Sequence, residues 1–175
     1  MEIKTKRLLL RDVKKEDVKD FVLAGNSWEI NYFVWYVPYP LTVKEAEKMI
    51  RRMIEQTKSK RRRHYELAIT LKTEKKVMGM INLYDMDYKC RKCKIGYWIG
   101  KDYRRKGYCE EACRAIIKFA FKELKMHKIS GKTLIDNKAS NNLLKKLGFK
   151  KICRIKEDQF VDNKFIDCYL WEKIE

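Results

Sequence analysis

The chain has 175 residues, with 42 Lys and Arg against 24 Asp and Glu, leaving a net charge of +18. Hydrophobic content of 45% with 12% aromatics suits a packed core and excludes a disordered chain, and the charge favours an anionic partner: a polyphosphate cofactor, nucleic acid or an acidic protein. The longest apolar stretch, Tyr32 to Leu41, is short and broken by Pro38 and Pro40, so the expectation is a soluble, cytoplasmic protein, monomer or homodimer, with no membrane partner.

Lys4 to Arg11 reads as a first strand. A helix follows from Asp12 to about Ala24, with Val13, Val18, Phe21 and Val22 on one face and Gly25-Asn26 as its stop. Ser27 to Leu41 is dense in aromatics and admits two readings, an apolar wall for a substrate or a short helix packed on the core. Thr42-Val-Lys-Glu45 matches a capping box and starts a second helix through about Gln56. The charge run Lys58 to Arg63 that ends it suits either contact with RNA or the ribosome, or a solvated helix end.

His64 to Lys72 alternates as a strand, and Val77 to Tyr84 is its antiparallel partner across the turn Thr73 to Lys76. Cys90 and Cys93 have C-x-x-C spacing, but no second pair completes a metal set, so they read as thiols in a hairpin loop and no metal site is expected. Lys94 to Gly100 is the next strand. Cys109 to Leu124 forms a helix with Ala112, Ile116, Ala120 and Leu124 in one row. A strand from His127 to Ile135, a helix from Lys138 to Leu147 and two closing strands, Phe149 to Ile155 and Lys164 to Lys173, complete the chain. The sum is an α+β fold of about seven strands in a mixed, mostly antiparallel twisted sheet with about four helices, one domain spanning 1–175.

The chemistry concentrates at Arg104-Arg105-Lys106-Gly107-Tyr108-Cys109, between a strand and a helix. A helix start leaves backbone N–H groups unpaired and carries the positive end of the macrodipole, which suits a phosphate. Gly107 admits a close backbone approach, and three cationic side chains add charge. The turn lacks the Gly-Lys-[Ser/Thr] ending of a nucleotide P-loop and the paired glycines of a dinucleotide fingerprint.

This turn resembles the Arg/Gln-x-x-Gly-x-Gly/Ala acetyl-CoA motif of the GNAT N-acetyltransferase superfamily, with Cys109 at the last position. Ile95-Gly-Tyr-Trp-Ile-Gly100, Asn137-Lys-Ala-Ser140 with Lys146-Leu-Gly-Phe149, and Asp162 to Tyr169 resemble, in order, segments of its RimJ/RimL-like branch, which acetylates ribosomal proteins. The resemblance implies acyl transfer from acetyl-CoA to a primary amine. It implies that the Trp98 and Ile99 backbone holds the pantetheine arm like an added strand. Arg104, Arg105, Lys106, Gly107, Tyr108 and Cys109 would cradle the diphosphate, and Asn137 would anchor the far end of the pantetheine. Many members place a Tyr four residues after the position of Ser140 to protonate the leaving thiolate. Here that position is Leu144, so the task falls to Ser140, which otherwise serves as a hydrogen bond in the first turn of its helix.

No general base stands out: His64 and His127 sit at strand starts, and Glu66 and Asp85 are equivalent in the sequence. An α-amine of pKa about 7.8 is on the order of 10–15% neutral at pH 7, a lysine amine on the order of 0.04%. A poor supply of bases therefore leans towards a protein N-terminus as acceptor. A small amine such as a polyamine or an antibiotic, or a non-catalytic module binding RNA or the ribosome, are the alternatives.

Overall fold

Runs of aliphatic and β-branched residues build eight strands, the central β3 and β4 buried on both faces, and the computed structural model describes all of residues 1–175. They are β1 (Glu2–Lys4), β2 (Leu8–Asp12), β3 (Tyr65–Leu71), β4 (Val77–Asp87), β5 (Lys92–Ile99), β6 (Lys128–Leu134), β7 (Lys150–Val161) and β8 (Lys164–Ile174). One open sheet runs in the order β1-β2-β3-β4-β5-β6-β8-β7, antiparallel throughout except at β5–β6. The helices are α1 (Val18–Gly25), α2 (Trp28–Phe33), α3 (Val43–Thr57), α4 (Tyr108–Lys122) and α5 (Lys138–Lys146).

The α+β class and the mostly antiparallel sheet agree with the sequence reading, with one more strand and one more helix than expected. The first expected strand divides into β1 and β2, and a 3₁₀ turn at Lys15–Asp17 precedes α1. The extra helix, α2, lies inside the aromatic stretch. α3 starts as its capping box requires, with Thr42 Oγ1 accepting from Glu45 N and the Glu45 carboxylate accepting from Thr42 N.

Two apolar layers cover the sheet. One face packs against α4 and α5 around Ile81, Ile95, Ile116 and Leu144; the other packs against α1 and α3 around Phe21, Ile50, Ala68 and Trp98. Cys93 is buried in the first layer while Cys90 faces solvent in the β4–β5 turn, so these two thiols do not converge. No helix is long and apolar enough to cross a membrane.

The only parallel junction is short. β5 and β6 pair at Lys92↔Lys128, Cys93↔Ile129 and Lys94↔Ser130, and beyond those three pairs the strands diverge. From Ile95 to Ile99, β5 is bonded on one side by β4 and open on the other. The sheet ends in β1, three residues long, and in β7, which carries the exposed Lys150, Lys151, Arg154 and Lys156.

Candidate active site

The turn between β5 and α4 is built around Gly107. This glycine caps α4 with φ 76° and ψ 3°, the left-handed region that glycine enters at least cost. Arg105, at φ 61°, also lies there, so successive amides face a common point. The N–H groups from Arg105 to Cys109 find no backbone carbonyl. That set of orphan donors at a helix start fits a diphosphate.

The cationic side chains do not all face that point. Arg104 is ion-paired with Glu29 of α2 and donates from Nε to Ile99 O at 3.4 Å. Lys106 folds back to donate to Asp102 O at 2.9 Å. Arg105 is exposed and stands apart from these pairings. A cation from far along the chain joins instead. Arg7 donates to Lys106 O at 2.9 Å, stacks 4.6 Å over the Tyr108 ring and pairs with Glu111 at 2.7 Å. Nothing in the local sequence near Arg7 marks this role, because it depends on β2 lying beside α4.

Below the turn, the divergence of β5 and β6 opens a cavity of about 460 Å³. Phe33, Trp35 and Tyr36 from the α2 segment wall one side, and Tyr97, Ser140 and Leu144 line the other. Both readings of the aromatic stretch therefore hold: Ile30 and Val37 are core, while Phe33, Trp35 and Tyr36 face the cavity. α5 begins at Asn137, whose side-chain oxygen accepts from Ser140 N at 3.0 Å. Ser140 Oγ does not bond back to its helix. It lies 2.8 Å from the Tyr97 hydroxyl. Burial, the main cause, raises the Tyr97 phenol well above its ordinary pKa, so it remains a proton donor at neutral pH.

Comparison with known proteins identifies the family. A family model described as "Acetyltransferase (GNAT) domain" matches residues 7–150. The chain belongs to the GNAT acetyltransferase family. It is an acetyl-CoA-dependent N-acetyltransferase, as members of the GNAT family are. Over 149 residues it is 26% identical to the uncharacterized N-acetyltransferase YoaA of Bacillus subtilis, covering 85% of this chain and 82% of that one. Over 95 residues it is 30% identical to the [Ribosomal protein uS5]-alanine N-acetyltransferase of Escherichia coli, a match spanning 54% of this chain and about half, 49%, of the relative. The fold superposes with a TM-score of 0.86, at 18% identity, on RimL, a ribosomal L7/L12 alpha-N-protein acetyltransferase in complex with coenzyme A, covering 99% of this chain and 98% of that one.

Within this GNAT fold the residues expected at the cofactor flank the sheet's split. Trp98 and Ile99 lie on the open stretch of β5, where only their backbone is free. The Trp98 ring is core, edge-on to Phe21 at 5.5 Å. Cys109 sits in the first turn of α4, and Asn137 and Ser140 open α5 across the gap. Of the weighed bases, His64, Glu66 and Asp85 line the cavity. Asp85 is tied to Lys94 at 2.9 Å, and His127 immediately precedes β6, away from the cavity lining.

Tyr97 was not picked out by sequence reasoning, which sought a tyrosine at position 144. A signal was present: alternation along Ile95 to Ile99 turns Tyr97 away from Trp98, towards the α5 side.

Proposed function

We propose that this enzyme transfers the acetyl group of acetyl-CoA to the N-terminal α-amine of a ribosomal protein, by direct attack on the thioester. One observation carries the reading: an aromatic-walled cavity opens onto the Tyr97–Ser140 pair at the point where β5 and β6 part. Bound acetyl-CoA supplies an activated thioester. The amides from Arg105 to Cys109, with Arg105, Lys106 and Arg104 close by, hold its diphosphate, and the Trp98 and Ile99 backbone and Asn137 align its arm. Ser140 presents its hydroxyl proton to the departing thiolate. Tyr97, protonated and buried, lies 2.8 Å from Ser140 Oγ, and by donating to it would fix where that proton points. Open amides on β5 are available to the carbonyl oxygen as it gains charge.

A protein N-terminus is favoured because the chain offers few bases and an α-amine needs little deprotonation. The name of the Escherichia coli relative points the same way. The net charge of +18 disfavours cationic small amines, since like charges raise the cost of approach. The basic surface at Lys60, Arg61 and Arg63 would meet ribosomal RNA, and residues 1–175 would act as one catalytic domain in the cytoplasm. The test is mass spectrometry of ribosomal proteins after incubation with the enzyme and isotope-labelled acetyl-CoA. A labelled acetyl group on one or more N-termini is expected. Label confined to small amines, or none on any protein, would remove the reading.

A further inference from the structure

Buried polar atoms in folded proteins nearly always have partners, so exceptions require an explanation. Three side-chain atoms here are buried acceptors without one: Gln56 Oε1, Glu66 Oε2 and Asn82 Oδ1. Gln56 lies at the end of α3 and does not line the cavity; Glu66 and Asn82 do. The two stand directly opposite each other on β3 and β4, and Asn82 stands opposite Gly96 on β5. Directly opposed residues in an antiparallel pair put their side chains on one face, so a row of acceptors runs towards the gap. A Cβ at Gly96 would lie 2.5 Å from Asn82 Oδ1, so only a glycine leaves room there for the amide oxygen.

The rest of the two side chains is fixed. The Glu66 side chain is 8% exposed and its Oε1 accepts from Arg52 at 2.9 Å. Asn82 is 7% exposed and its Nδ2 donates to the Tyr36 hydroxyl at 3.3 Å. What remains is one carboxylate oxygen and one amide oxygen, both acceptors and neither with a donor. A group bearing several N–H donors and a positive charge fits such a pair, because it satisfies both oxygens and pairs with the carboxylate. An anion or an aliphatic group would leave both oxygens unsatisfied.

We infer that Glu66 Oε2 and Asn82 Oδ1 form the docking point for the acceptor's ammonium group, and that Glu66 takes its proton. The inference rests on the N-acetyltransferase reading and specifies that the amine arrives charged. In the proton step an N–H bond breaks, an O–H bond forms at Oε2 and the electron pair stays on nitrogen, which becomes the nucleophile. The geometry supports the direction of attack. The acceptor row lies on the sheet face that carries Trp98 and α3, and the Tyr97–Ser140 pair lies on the opposite face. A thioester lying in the gap would be approached from one face and lose its thiolate towards the other.

The full chain saturated with CoA, which carries no acetyl group to transfer, provides the test. Calorimetry compares a tetrapeptide having a free α-ammonium with its N-acetylated twin. The free peptide should bind about 10- to 100-fold more tightly, the range for a hydrogen-bonded charge. Glu66→Gln, similar in size but uncharged, should erase that preference, and Asn82→Ala should reduce it about 3- to 10-fold. Equal affinity for the two peptides, or a preference that survives Glu66→Gln, overturns the proposal. Should Glu66→Gln fail to fold, Asn82→Ala decides: a reduced preference supports the subsite and an unchanged one overturns it. Butylammonium is the second probe. Glu66-dependent binding of butylammonium without binding of any peptide keeps the subsite and removes the protein N-terminus as acceptor. No binding of either probe overturns the subsite, while labelled N-termini in the acetylation assay would leave the proposed reaction standing.

Discussion

Ser140 and Tyr97 come from elements 43 residues apart, yet their hydroxyls meet at 2.8 Å. If Tyr97 acts by orienting Ser140, the two substitutions must be coupled. Ser140→Ala is expected to lower kcat about 10- to 100-fold, and Tyr97→Phe about 10-fold, each with acetyl-CoA affinity nearly unchanged. The double variant should be no slower than Ser140→Ala alone, because removing the serine leaves the phenol nothing to position. Multiplicative losses would show that the two act separately. Ser140 itself was legible through the resemblance of its motif, and Gly107 through the chemistry of a strand–turn–helix. Tyr97 was not, because its role arises only when β5 and α5 approach across the sheet. Glu66 stayed indistinguishable from Asp85 for a similar reason: the first is buried with an unpaired oxygen and the second is held by Lys94.

At the scale of elements, α4 is clamped to the β1–β2 connection through Glu111. Its carboxylate accepts from Thr5 Oγ1 at 2.6 Å and from the Arg7 amide and Nε at 2.7 Å. Burial alone would raise the Glu111 carboxyl, but the bonds from Thr5 and Arg7 outweigh it and hold the pKa below its ordinary value. A depressed folded pKa means that this stability is present above the ordinary glutamate range and is lost as pH falls through the lower value. The melting temperature should therefore fall as pH drops below about 4.3. Glu111→Gln should lower stability at pH 7 by about 1–3 kcal/mol, by leaving donors unpaired, and should flatten the acid limb. An unchanged acid limb, measured by calorimetry in steps from pH 6 to 3, would show that the clamp contributes nothing.

Most elements were readable from such local signals: the Thr42–Glu45 box set the start of α3, and periodicity set α4 to within two residues. The division of β1 from β2 was not, since a three-residue strand has too few positions to display alternation. Nor was the full length of β7, whose register shifts at Lys151/Cys153 and Ile155/Gln159 break the period.

For the molecule as a whole, the net charge of +18 is larger than the diphosphate turn can account for. Part of the basic run is structural. Arg62 pairs with Asp12 at 2.7 and 2.9 Å, Lys58 with Glu55 at 2.6 Å, and Arg61 stacks 4.5 Å from the centre of the Tyr88 ring. Lys60 and Arg63 are exposed. If the run meets RNA, Lys60→Ser with Arg63→Ser should weaken ribosome co-sedimentation and reduce the slope of log K against log salt by roughly 0.7–0.9 for each phosphate no longer neutralised. Turnover of a short free peptide should not change. Arg62→Ser should instead lower the melting temperature, because it leaves Asp12 only the N-terminal ammonium of Met1 as a partner. Co-sedimentation indifferent to both Lys60 and Arg63 would make the run a solvated face.

The lysine-rich outer strand β7 bears on solubility. An open sheet presents two rows of unpaired backbone groups, each a template for another chain. The β1 edge offers only three residues, but β7 is twelve long, with Ile152, Phe160 and the neighbouring Phe165 more than half exposed. Lys150, Lys156 and the kinks in its ladder are what keep such an edge from pairing with a second copy. Lys150→Thr with Lys156→Thr should leave the stability within about 1 kcal/mol of the original. Light scattering should nonetheless show faster aggregation on storage at high protein concentration. Equal scattering from the two proteins would mean that the bent ladder alone protects the edge.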